Sequence, residues 1–169
     1  MIKNARNLLI KTLHESGIDL HPANSMRAKP AYPYLTYNIT TAYIPQPFTK
    51  VEEKELIPSN DSRFEHDVAH REYEQAQMTI SISSYSKDES EAINACKGTL
   101  DFFRNVGYEK LADVGLIVVE VSTMQNRTVN IVDHYEFRYG FDVRLRFIDE
   151  TEIRLDTIET FNLKGEIDG

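Results

Sequence analysis

The sequence predicts an α+β fold, a single domain in which helices pack on a mainly antiparallel β-sheet, and three observations carry that reading. Residues 135–147 alternate strictly. Tyr135, Phe137, Tyr139, Phe141, Val143, Leu145 and Phe147 take one side, and Glu136, Arg138, Asp142, Arg144 and Arg146 the other. Successive strand side chains point to opposite faces, so this run is a strand with one core face and one polar face. Residues 73–85 repeat the pattern, with Ala76, Met78, Ile80 and Ile82 opposed to Gln75, Gln77, Thr79 and Ser81. Between the two, Ala92, Ala95, Cys96, Thr99, Leu100 and Phe103 form an apolar stripe at helical spacing. Long strands separated by one strong helix give a helix layer on a sheet.

The remaining elements follow in chain order. Ala5, Leu8, Leu9, Thr12 and Leu13 predict a helix over 3–15, with Gly17 placed to end it. An extended link broken by Pro22 and Pro30 follows. After Pro33, Leu35, Tyr37, Ile39, Thr41 and Tyr43 alternate with polar residues, which predicts a first long strand. Residues 45–72 carry Pro45, Pro47 and Pro58, many charges and scattered apolar residues, and read as an extended loop or arm, with a mobile arm, a hairpin ordered by a partner and a solvated loop as the alternatives. Ser86 with Glu89 three residues on suits a capping box for a helix over 87–105, and Gly107 suits its exit. A strand is expected over 116–121, then a loop over 122–128, then the long strand with a bend at Gly140, and a short strand near 157–163.

At 169 residues the chain can build one sizeable core. The formal net charge of −8 disfavours nonspecific nucleic-acid binding. No apolar run approaches the roughly 18 to 20 residues of a membrane span, and the first residues are a poor match to a signal peptide. The single cysteine, Cys96, rules out an intrachain disulfide framework. It sits on the helix stripe, where a small core side chain is expected rather than a nucleophile.

Catalytic signals are weak. His66 and His70 would share the face of a helix and could hold a metal, with Glu65, Glu72 and Glu74 nearby as oxygen donors. The residue after His66 is Asp67, not the glutamate of a zinc-protease motif. Asp133 and His134 are neighbours on a strand and point to opposite faces, so they do not make a triad pair. No phosphate-binding or dinucleotide loop is present. The polar groups that remain are Arg138, Arg144 and Arg146 on one strand face, Arg127 in the preceding loop, and a tyrosine cluster at 32, 34, 37 and 43. Arginine makes paired bonds to carboxylates, and tyrosine joins apolar area to a hydroxyl. Arg127, Arg138, Arg144, Arg146, Tyr34 and Tyr37 are therefore candidate subunit-interface residues. The other reading of these arginines is an exposed polar sheet face.

Four pieces carry a family resemblance: residues 32–37 (YPYLTY), 77–86 (QMTISISSYS), 118–121 (VVEV) with 126–128 (NRT), and 133–146 (DHYEFRYGFDVRLR). With the helix among them, they resemble the phage neck terminator protein family, the tail-terminator and head–tail joining proteins of tailed bacteriophages, over roughly residues 30–162. The resemblance implies a tail-terminator-like fold and a structural virion protein without catalytic, cofactor or metal residues. It implies a ring, a hexamer, at the head-proximal end of the tail, assembled in the host cytoplasm. The implied partners are the tail tube protein and a head-completion or connector protein, with DNA passing through without specific recognition and no membrane contact. The competing classes are a small metal-dependent hydrolase using His66 and His70, and another tail or baseplate assembly protein.

Overall fold

A computed structural model of the protein describes residues 2–25, 28–131 and 134–156. It is an α+β fold with three helices on a mixed, mainly antiparallel sheet. In chain order the elements are α1 (Ile2–Glu15), β1 (Leu20–Pro22), β2 (Tyr34–Pro45), β3 (Val51–Pro58), β4 (His66–Ser86), α2 (Glu89–Arg104), α3 (Val106–Asp113), β5 (Ile117–Val121), β6 (Gln125–Asn126), β7 (Val129–Ile131) and β8 (His134–Asp156). The strand order is β1-β2-β4-β8-β5, with β3 paired to β4 and with β6 and β7 paired to β8. Only the short β1–β2 ladder is parallel among the described pairs.

The chain divides into two compact units, Met1–Gln46 with Gln75–Asp149, and Pro47–Glu74 with Glu150–Gly169. The first holds the core. The rows Ala76, Met78, Ile80, Ile82 on β4 and Phe141, Val143, Leu145, Phe147 on β8 are buried, as their alternation predicts. Leu9 and Leu13 of α1, Cys96, Leu100 and Phe103 of α2, and Leu111 of α3 close over them. Phe103 meets Phe141 edge-on at 6.1 Å between ring centroids, a favoured aromatic geometry. The Cys96 thiol is fully buried and its pKa is pushed up to about 11 by that burial, against a smaller opposing effect of its hydrogen bond with Ser84. A thiol held protonated in this way is a core group.

Helix ends follow local chemistry. Gly17 adopts a left-handed φ of 80°, and the Ile18 N–H reaches back to the Leu13 carbonyl at 2.9 Å, which ends α1 as expected. Gly115 repeats the device after α3, with φ of 80° and Leu116 N–H bonded to the Leu111 carbonyl at 2.8 Å. α3 itself is a correction: Gly107 lies inside it and is not a helix exit, because the chain turns at Asn105 and starts a new helix. The cap of α2 also moves. Asp88, not Ser86, accepts from the Glu91 N–H at 2.9 Å, while Ser86 Oγ accepts from the Asp88 N–H and donates to the Glu91 carboxylate. Capping by aspartate and serine in series replaces the expected box.

In the second unit, residues 45–72 hold a hairpin, one of the readings of that segment, where a loop or arm was the leading expectation. β3 pairs antiparallel with β4 in continuous register from Val51↔Tyr73 to Pro58↔His66. Its strand is stabilised by backbone pairing and by charge pairs. Arg71 bonds Glu55 at 3.1 Å and Glu152 at 2.7 Å, and Arg154 bonds Asp67 at 2.5 Å. Hydrophobic alternation is therefore absent where a strand is present. The strand expected near 157–163 lies outside the described residues.

Candidate functional site

In the first unit the helices cover one face of the sheet. The other face carries the even-numbered side chains of β8 and the odd-numbered ones of β4. Gly140 organises its centre. A Cβ there would lie 2.6 Å from the Ile82 carbonyl oxygen and 2.8 Å from Arg127 Nη1, so only a glycine lets the Arg127 side chain cross the strand. Arg127 then donates to Ser81 Oγ at 2.6 Å and to Asp142 Oδ1 at 3.0 Å. Burial raises the Asp142 pKa, but hydrogen bonds from Ser81 and Arg127 and the guanidinium charge outweigh it, and the net shift is downward.

Arg138 lies beside this pair on the same face. Its guanidinium stacks over the Tyr85 ring at 5.1 Å, its Nη2 donates to Ser83 Oγ at 3.4 Å, and its Nε is buried without a hydrogen-bond partner. Tyr85 is in turn stacked on Tyr34, with centroids 4.9 Å apart and ring planes 4° from parallel. Tyr32 packs on Tyr34 at 5.4 Å. Glu136 completes the group by accepting from Lys29 and Tyr32 and pairing with the Lys29 ammonium. Its burial pushes its pKa up, and the bonds from Lys29 and Tyr32 more than reverse that, so it stays below the ordinary carboxylate range. The Tyr34 hydroxyl is pushed up to about 12, by burial first and by the Glu136 charge second. An open concavity of about 480 Å³ adjoins, lined by His21, Lys29, Tyr34, Thr36 and Tyr85 among others.

Farther along, Arg144 reaches Glu120 of β5 at 3.3 Å, and both are largely exposed. Arg146 sits opposite Ile117 in the β5–β8 ladder. The six sequence candidates therefore separate. Arg127, Arg138 and Tyr34 join one network, Arg144 and Arg146 continue the same face outward, and Tyr37 leaves it. Tyr37 packs against the core with Leu35 and Ile39, three residues from Tyr34 and on the opposite face. The network also holds Lys29, Tyr85, Ser81, Ser83, Asp142 and Glu136. Strand parity on β4 places Ser83 and Tyr85 with Ser81 on the polar side, a signal that could have found them. Nothing local to Lys29 signalled its approach to Glu136, 107 positions away.

The histidine pair resolves differently from a helical site. His66 and His70 are on strand β4, where four residues span about 13 Å. His70 instead meets two glutamates that face each other across the β3–β4 ladder, with Nε2 3.4 Å from Glu52 and 3.9 Å from Glu72. One ligand atom from each of the three residues lies within 4.8 Å of the others. The Lys50 ammonium, 2.9 Å from Glu72 and 3.4 Å from Glu52, already balances the two carboxylates. Asp133, one half of the Asp133–His134 pair, lies outside the described residues.

The family model described as phage neck terminator protein matches residues 2–169, nearly the whole chain, and the chain belongs to that family. Its role is in the general sense that of a tail terminator or neck-joining protein, located in the virion tail or neck. No curated protein matches the chain. Among the described residues no helix is long and apolar enough to cross a membrane.

Proposed function

We propose that this member of the family forms a ring of six copies at the head-proximal end of the tail, where it ends tube growth and joins the tail to the head. It does so as a structural virion protein that turns over no substrate. One observation supports this beyond family membership. Among the described residues, no helix covers one sheet face of the first unit, and arginines and stacked tyrosines, the side chains that interfaces favour, order it. Arg127 and Arg138 hold the face in shape, and Arg144, Arg146 and Tyr34 are the contacts it offers to a neighbouring subunit. Tyr37 supports the strand from the core side.

The mechanism is one of unequal ring surfaces. One side complements the last ring of the tail tube protein, and the other lacks the repeating tube interface and accepts a head-completion or connector protein, so further addition stops. The acidic net charge reduces adhesion of DNA passing through. Assembly takes place in the host cytoplasm. Removing the chain from otherwise intact particles tests the proposal. Heads and tails should accumulate unjoined, with tails of abnormal length, whereas normal joined particles would refute it. Alanine at both Arg144 and Arg146 should weaken ring formation on tails, and an unchanged ring would remove these arginines from the interface.

A further inference from the structure

Among the described residues, one group of three metal-ligating side chains converges, Glu52, His70 and Glu72. His70 stands on β4 opposite Lys54 of β3, and Glu72, two residues on, stands opposite Glu52. Directly paired residues share a face, and so do residues two apart on a strand, which brings the three side chains together above the ladder. The His70 side chain is 16 % exposed, and its Nε2 is buried and makes no hydrogen bond with the described residues. Buried polar atoms normally have a partner. This nitrogen lies 3.4 Å from Glu52 Oε2 and 3.9 Å from Glu72 Oε1. Ligand atoms held about 2.0–2.1 Å from a tetrahedral zinc ion stand about 3.3 Å apart. One atom from each of the three residues lies within 4.8 Å of the others, so small side-chain rotations bring the set to that spacing.

We propose that Glu52, His70 and Glu72 bind a divalent transition ion, zinc, as a clip between β3 and β4, with a fourth position for water or a further donor. The sequence marks His70 and Glu72 as ligands alongside His66, and strand geometry puts Glu52 in the place of His66. Net charge does not supply the attraction. Lys50 lies 2.9 Å from Glu72 Oε1 and 3.4 Å from Glu52 Oε1, and the exposed Lys54 faces His70, so two cations balance two carboxylates. Coordination chemistry selects the ion. Lys50 engages the carboxylates alone and leaves the imidazole nitrogen over, whereas zinc takes imidazole nitrogen and carboxylate oxygen at once. The Lys50 side chain is half exposed, and exposed ammonium–carboxylate pairs are weak. It yields Glu72 Oε1 to the ion, while Glu52 offers Oε2, the oxygen that faces His70, and keeps Oε1 for Lys50. The clip is structural, and its binding free energy stabilises the hairpin. It does not rest on the ring reading.

The experiment is calorimetric titration of the full chain, stripped of metal by a chelator, with zinc chloride, together with hydrogen exchange of the β3 amides. One zinc per chain should bind, and the β3 amides should gain protection. His70→Gln and Glu52→Gln should each weaken binding by about tenfold or more and remove that gain, since each takes away a direct ligand. Lys50→Gln should tighten binding by removing the competitor for Glu72. Magnesium and calcium at equal concentration should not displace the zinc, because both prefer all-oxygen sites. Circular dichroism checks that each variant is folded. Should His70→Gln fail to fold, Glu52→Gln, at an exposed strand position, decides the question by itself. Absence of zinc uptake would overturn the site. So would uptake that the ligand substitutions leave unchanged, an adventitious ion only, or zinc that magnesium displaces at equal concentration.

Discussion

Strands β4 and β8 run through both units, yet they are stabilised by different physics in each. In the first unit one row of each strand is buried under helices, as Ile80, Ile82, Phe141 and Val143 show. Each such side chain contributes on the order of 1.5–3 kcal/mol of burial. In the second unit the same two strands carry Arg71, Asp67, Glu152 and Arg154 in pairs, most of them partly open to solvent. Exposed pairs contribute about 0–1 kcal/mol each. Among the described residues, stabilisation by burial is therefore concentrated in the first unit, while backbone pairing and ion pairs carry the second. Apolar alternation is the sign of a covered strand, not of strands in general.

That contrast can be broken by substitution. Phe103→Ala, which removes a fully buried ring of the first unit, should cost about 3–5 kcal/mol in denaturant unfolding. Gly140→Ala should cost roughly 1–3 kcal/mol, because its Cβ would press on the Ile82 carbonyl and displace Arg127. Arg127→Ala should cost about 1–2 kcal/mol by stranding Ser81 and Asp142, with the loss reduced because Asp142 is partly solvated. Leu56→Ala should change the isolated chain by no more than about 0.5 kcal/mol. A loss there as large as that of Phe103→Ala would show a hidden core in the second unit.

A pH titration sharpens the same contrast. Glu136 and Asp142 have folded pKa values below their ordinary ones of 4.5 and 3.8. Their stabilisation is fully present above those ordinary values and is lost as pH falls through the lower folded values. Glu136→Gln should therefore be less stable than the parent chain at neutral pH and lose stability less steeply below pH 4.5, so that the two acid-unfolding curves followed by circular dichroism converge at low pH.

Most of the first unit was legible because burial writes itself into sequence. The alternation of 76–82 and 141–147 and the stripe from Ala92 to Phe103 named the core rows and the helix that covers them. α3 escaped because Gly107 resembled a stop, while the working stop was Gly115 with its left-handed backbone. β1 is three residues long and too short to show a period. β3 escaped because Glu52, Glu53, Lys54 and Glu55 are exposed on both faces. At the site, the polar row of arginines was readable, but its partners were not all local. Asp142 offsets Arg127 from another strand, and Lys29 comes from a connecting segment. Parity alone separates Tyr34 from Tyr37, since residues three apart on a strand cannot share a face.

The most direct test of the central claim is imaging of joined particles at a resolution that traces this chain at the head–tail junction. The account predicts a single closed ring between tube and connector, with the helix-free sheet face of each subunit covered by its neighbour. Density for the chain elsewhere on the particle, or copies at the junction whose arginine face is open to solvent, would contradict it.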